Sequence, residues 1–224
     1  KWVSVPTVGV STGGGAFDAS DFKSYYVNLF GRRIPFRLKF PRSYTNPDSA
    51  GKRYPVMLFF HGAGETGCPS NGGVYNNEKQ LLIGGKLFKQ RVDNNQFDGF
   101  LLYPQVIPPD STCWGSWGAN ANVYYNTLIA VLDSMVKYAR VDLDRVVPFG
   151  LSAGGSAAWR IAEFFPQHVA AIAPSAAAGI QMDYAKFVHI PVWLATGGKD
   201  TNPSPAAAQY SVNQVNALGG YIRY

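Results

Sequence analysis

The chain has 224 residues, of which 46% are hydrophobic, 14% aromatic and only 15% charged. This is the length of one domain with apolar content for a core on both faces of a sheet, and it excludes a disordered chain. The net charge of +6 is scattered in pairs such as Arg32-Arg33 and Lys52-Arg53, and the apolar runs fall far short of the roughly 20 residues that span a bilayer, so neither a nucleic-acid nor a membrane partner is expected.

Residues 1–20 are rich in Gly, Ser and Thr around Ser11-Thr12-Gly13-Gly14-Gly15 and read as a linker or leading arm, with the folded domain over residues 21–224. Such an arm suggests a larger modular protein and, with it, export. Residues 25–30 and 34–40 alternate in polarity on either side of Gly31-Arg32 and predict a hairpin. Beyond Pro41 the pattern changes to short, continuously apolar strands between helical stretches, the signature of a mostly parallel sheet covered on both faces. Strands are expected at residues 54–60, 100–103, 146–149, 169–173 and 192–196, with a last one starting at Tyr221. From Asn122 to Ala139 the residues Leu128, Val131, Leu132, Met135, Val136 and Ala139 recur at helical spacing and mark a face that must pack on the sheet. A final helix starts at Ser204-Pro205, as N-cap and first helical residue, and stops at Gly219-Gly220.

The residues with chemical potential lie at strand ends. Gly150-Leu151-Ser152-Ala153-Gly154 follows one expected strand and precedes a helix with apolar positions Ala157, Ala158, Ile161, Ala162 and Phe165. Strand, G-x-S-x-G and helix is the setting of a nucleophile elbow, where a strained turn exposes the serine and tolerates only small neighbours. Ser152 is therefore the candidate nucleophile. Upstream, His61-Gly62-Ala63-Gly64-Glu65 closes the strand at residues 54–60. A glycine-rich turn there supplies one oxyanion-hole N–H and the residue after the nucleophile supplies the other, which assigns Ala63 and Ala153. His61 reads as a brace for that turn rather than as a base.

Serine, acid and histidine follow one another in this chain order in α/β-hydrolases, and Asp200, after the strand at residues 192–196, fits the acid. The alternative is a turn aspartate bonded to its own backbone. Asp183, before that strand, fits less well. In the loop after residue 104, Gln105, Trp114 and Trp117 are candidates for contact with substrate, the tryptophans by stacking on a sugar or aromatic acyl group, or else as covers of the core edge. Cys68 and Cys113 follow the ends of two expected strands and are expected to form a disulfide between rim loops, two free thiols being the alternative. With only two cysteines and no Cys/His cluster of zinc spacing, neither a metal nor another cofactor is expected.

Taken together, His61 to Glu65, Tyr103-Pro104-Gln105, the elbow from Gly150 to Gly155, and Thr196-Gly197-Gly198-Lys199-Asp200 resemble the secreted bacterial esterases of the polyhydroxybutyrate-depolymerase and feruloyl-esterase-like type, a group in which some members carry a peptidase label. The resemblance spans roughly residues 25–224. It implies an α/β-hydrolase fold and hydrolysis of carbohydrate-linked or aryl esters by a serine triad, without a metal. A serine peptidase and a non-catalytic carbohydrate-binding relative remain the alternatives. The only histidines are His61, His168 and His189, and all precede Asp200, so the catalytic histidine is expected beyond Tyr224 and the domain is expected to be incomplete at its C-terminal end, a degenerate triad into which His189 swings being the alternative.

Overall fold

The computed structural model describes residues 2–5, 18–67, 81–107, 117–118 and 121–224. Its strands are β1 (Trp2–Val5), β2 (Phe22–Leu29), β3 (Arg32–Lys39), β4 (Tyr54–Phe60), β5 (Phe100–Pro104), β6 (Val141–Leu151), β7 (Ala173–Ser175), β8 (Val192–Trp193) and β9 (Ile222–Arg223). The α-helices are α1 (Lys86–Asp93), α2 (Ala121–Ala139), α3 (Ala153–Phe164) and α4 (Pro205–Ala217). A mixed sheet runs in the order β1-β2-β3-β5-β4-β6-β7, antiparallel from β1 to β5 and parallel from β5 to β7. Parallel bridges from Ile172 to Val192 and from Ser175 to Ala195 carry it on to β8, which pairs in parallel with β9.

The continuous apolar runs follow from burial on both faces. Along β4, Tyr54, Val56, Leu58 and Phe60 point into the core under α2, α3 and α4, while Met57 and Phe59 point into a second core against Phe88 and Val92 of α1. Each of those that is fully buried, such as Val56, Leu58 and Phe60, contributes about 1.5–3 kcal/mol. Helix α2 lays Leu128, Val131, Leu132, Met135 and Ala139 on the sheet, as its period requires. Helix α4 starts where Ser204 accepts a hydrogen bond from the Ala207 N–H and stops before Gly219, whose φ of +77° suits glycine.

Three expectations need correction. Trp2–Val5 is not linker but an edge strand: it pairs with β2, and Trp2 packs on Tyr25 and Phe36 at ring separations of 5.6 and 5.3 Å. Four residues ahead of a glycine-rich run are too few to show a period, and the partner strand lies some twenty residues on. The strand expected at residues 169–173 is shifted to Ala173–Ser175, because Val169 and Ile172 are buried in the approach to the sheet before pairing with β6 begins opposite Phe149. The hairpin turns through Phe30 and Gly31, both at positive φ, and Arg32 already belongs to β3. No helix among the described residues is long and apolar enough to cross a membrane.

Candidate active site

The carboxyl ends of β4, β5, β6, β7 and β8 share one edge of the sheet, where ligands bind in open α/β folds. Ser152 stands there between β6 and α3 with φ 56° and ψ −117°, a backbone conformation that a side-chain-bearing residue adopts only under strain. What over-determines it is main chain packed on main chain. A Cβ on Gly150 would lie 2.5 Å from the Phe60 carbonyl oxygen, one on Gly154 only 1.9 Å from that oxygen, and one on Gly155 2.6 Å from the Ser175 carbonyl oxygen. The Ser152 N–H donates to the Ser175 carbonyl at 2.9 Å, and the Ser156 N–H donates to the Ser152 carbonyl at 3.0 Å. The serine is thereby exposed at the tip of the turn.

Ala153 is the first residue of α3 and Ala63 the first of a short 3-10 turn, Ala63–Glu65, so neither N–H has an acceptor within its own helix. Neither finds one elsewhere among the described residues. The two turns touch, since a Cβ on Gly62 would meet the Leu151 carbonyl oxygen at 3.4 Å and one on Gly154 the His61 carbonyl oxygen at 2.7 Å. A helix N-terminus beside an exposed serine favours developing negative charge.

His61 holds the Ala63 turn. Its Nε2 accepts the Val106 N–H at 3.0 Å, so Nε2 carries no proton and Nδ1–H donates to the Gly62 carbonyl at 2.6 Å. Trp117 Nε1–H donates to the His61 carbonyl at 2.9 Å. Burial lowers the imidazole pKa to about 4, the hydrogen bond to Gly62 opposing that shift. With both ring nitrogens engaged, His61 is a brace, as the sequence suggests.

Two of the candidate substrate contacts turn out differently. Gln105 is 2% exposed and its Nε2 donates to the Glu65 carbonyl at 3.0 Å, so it supports the turn from beneath and does not line the cleft. Trp117 is 1% exposed, edge-on to Phe60 at 4.7 Å, and gives the cleft only a buried edge, with no open face for stacking. A position after a strand end does not reveal which way a side chain turns. Cys68, Cys113 and Trp114 lie outside the described residues.

Asp200 sits in the loop after β8, which reaches the cleft through Asn202 and Pro203. Its Oδ1 accepts the Asn202 N–H at 3.0 Å, the turn bond that competes with a catalytic reading, while Oδ2 accepts no hydrogen bond among the described residues. Asp183 instead lies on the far side of the wall loop, exposed. None of the three histidines lines the cleft: His168 Nε2 is 3.1 Å from Asp133 Oδ1 behind α3, and His189 is exposed ahead of β8.

The cleft has a volume of about 510 Å³. Beside Ser152 and Ala153 it is walled by Ala177, Ala178, Ile180 and Met182, and Arg160 is the charged residue among its lining. Trp159, Arg160 and Ile180, which no motif singles out, are thus added to the site. Helical spacing from the elbow, Ser152 to Ser156 to Arg160, is the one signal in the sequence that places Arg160 on the cleft side of α3.

No protein-family model and no curated protein sequence matches the chain. Among solved structures it is similar to a thermostable esterase, with a TM-score of 0.73 and 26% identity over 91% of this chain and 54% of that one. It thus spans about half the length of that esterase. A ferulic acid esterase aligns with a TM-score of 0.67 and 14% identity, over 89% of this chain and 88% of that one. A substrate-bound, fluorophosphonate-binding serine hydrolase of Staphylococcus aureus aligns with a TM-score of 0.65 and 12% identity, over 89% and 87%. The fold is that of the α/β-hydrolases, and these neighbours are esterases and serine hydrolases.

Proposed function

We propose that this α/β-hydrolase chain is a serine carboxylic-ester hydrolase that works through an acyl-enzyme on carbohydrate-linked or aryl esters. The observation that carries the reading is Ser152, held at positive φ on the N-terminus of α3 next to the unengaged Ala153 N–H, with the Ala63 turn packed against the elbow. Ser152 Oγ attacks the ester carbonyl carbon while a base takes the hydroxyl proton, and the oxyanion forms against the two N–H groups. Collapse of the tetrahedral intermediate expels the alcohol with that proton. Water then enters, loses a proton to the same base, and releases the acid.

The base is a histidine oriented by Asp200 through its open Oδ2. His61 and His168 are hydrogen-bonded elsewhere and His189 lies exposed ahead of β8, outside the cleft lining, so this reading looks for the histidine outside the 224 residues. The apolar wall supports an apolar or aryl acyl group, and the ferulic acid esterase among the neighbours is in keeping with a feruloyl or acetyl ester. Export and a Cys68–Cys113 disulfide belong to the same proposal.

The test is a substrate panel of p-nitrophenyl esters, feruloylated and acetylated oligosaccharides, and peptides, offered to the natural protein in full. Rapid turnover of the esters supports the reading. Cleavage confined to peptides points to a peptidase, and sugar binding without turnover of anything in the panel points to a binding relative.

A further inference from the structure

The cleft wall opposite the nucleophile is built unlike the rest of the site. No backbone-to-backbone hydrogen bond of residues 177–182 is found among the described residues. The segment is instead held by side chains reaching in from two helices, and by Tyr184, whose hydroxyl donates to the Gly179 carbonyl. From α3, Trp159 Nε1–H donates to the Ala177 carbonyl at 3.4 Å, and Arg160 donates through Nη2 to the Ile180 carbonyl at 3.3 Å and through Nη1 to the Gln181 carbonyl at 3.2 Å. From α4, Ser211 Oγ accepts the Gly179 N–H at 2.8 Å. Gln181 has a φ of 55°, so the wall carries a strained residue where Arg160 grips it.

Arg160 is aimed by Glu163, one turn along the same helix. Glu163 is 7% exposed, and its Oε2 accepts Arg160 Nη1–H at 2.7 Å while its Oε1 accepts the Asp183 N–H at 2.8 Å. One buried carboxylate therefore fixes the guanidinium and the far end of the loop together. A buried charge with both oxygens satisfied keeps a single geometry, and removing either partner leaves the other uncompensated. The paired guanidinium offers little net charge to substrate. What it provides is position, since Ile180 and Met182, on either side of the gripped Gln181, line the cleft.

We propose that Arg160 and Glu163 are positioning residues that set acyl-group selectivity by fixing the wall of residues 177–183. The inference rests on the ester reading above. The wall is apolar, so it fits the acyl part of a carbohydrate ester rather than the polyhydroxylic alcohol. With the clamp in place, Ile180 and Met182 limit the acyl length that the cleft accepts. Without it, the wall yields to longer chains.

The experiment compares p-nitrophenyl acetate and p-nitrophenyl octanoate with the natural protein in full and its Arg160→Ala, Arg160→Lys and Glu163→Gln variants. In Arg160→Ala the octanoate-to-acetate ratio of kcat/KM rises by about tenfold, the scale on which a hydrophobic pocket tells acyl groups apart, with the change carried by KM for the octanoate. Glu163→Gln keeps an acceptor for the Asp183 N–H but loses the ion pair, and shifts the ratio in the same direction by less. Arg160→Lys keeps the ion pair without the forked contacts and falls between wild type and Arg160→Ala. An unchanged ratio, or the same fall on both esters in every variant, overturns the proposal. Should Arg160→Ala fail to fold, the other two variants decide by the same ratio. If the wild-type protein leaves both esters intact, the ester reading itself fails and this inference falls with it.

Discussion

The two sides of the cleft are built on opposite plans. On the side of Ser152, β4, β6, β7 and α3 approach so closely that Gly150, Gly154 and Gly155 have no room for a Cβ, and the backbone itself fixes Ser152. On the facing side, residues 177–182 are suspended from Trp159, Arg160, Ser211 and Tyr184. Main-chain packing leaves the sequence almost no freedom, whereas suspension by side chains can be retuned one residue at a time. Under the proposed reading, the first plan suits atoms that take part in every turnover, and the second suits the part that distinguishes one substrate from another.

The largest effect falls on the rigid side. Ser152→Ala removes one oxygen at the tip of the turn and is expected to lower kcat for ester hydrolysis on the order of a millionfold with the fold intact, as steady-state assay and circular dichroism would show. Near-normal turnover in that variant breaks the comparison at its strongest point. Asp200→Ala is expected to cost about 10⁴-fold in kcat, since it acts through the base. A change below about tenfold would make Asp200 the turn aspartate that its bond to the Asn202 N–H also allows.

Next come two tests of stability. Gly154→Ala places a methyl group 1.9 Å from the Phe60 carbonyl oxygen, and backbone cannot swing aside as a side chain does. A loss of more than about 3 kcal/mol by chemical denaturation is expected, while Gly64→Ala, with no atom within 4 Å of its Cβ, changes stability by less than about 0.5 kcal/mol. Similar losses in the two variants would show that the elbow is not specially tight.

His61 gives the smaller, pH-dependent effect. Burial holds its pKa at about 4 in the folded chain, against about 6.5 for an ordinary histidine, so between those values the unfolded chain binds a proton that the folded chain does not. Stability from this group is complete above pH 6.5 and is lost as pH falls towards 4, by about 3 kcal/mol at the limit. Denaturation midpoints measured from pH 7 down to 4.5 should fall with a slope approaching one proton. A flat profile, or an NMR signature of a charged imidazole at pH 5.5, would remove His61 as the neutral brace of the Ala63 turn.

How much of this was legible in the sequence depends on what each element's position rests on. Strand β4 is read residue for residue, because burial on both faces makes residues 54–60 apolar without a break and His61-Gly62 ends the run. Helix α2 is read to within one residue from its period. The elbow is legible because its sterics demand small residues at fixed spacing around Ser152. The suspended wall is not, since Arg160 and Ser211 bind carbonyl and amide groups of a loop, and main-chain partners leave no mark on the composition of that loop. Gln105 and Trp117 show the same limit from the other side: their place in the chain is read correctly, while their burial depends on Glu65, His61 and Phe60, which the fold brings beneath them.

The most direct test of Ser152 as an activated nucleophile is covalent labelling by a fluorophosphonate, followed by intact-mass and peptide mass spectrometry of the natural protein in full. One adduct per chain on the peptide carrying Ser152, and none in Ser152→Ala, is the expected result. Ester turnover with no adduct at Ser152, or with the adduct on another residue, would contradict it.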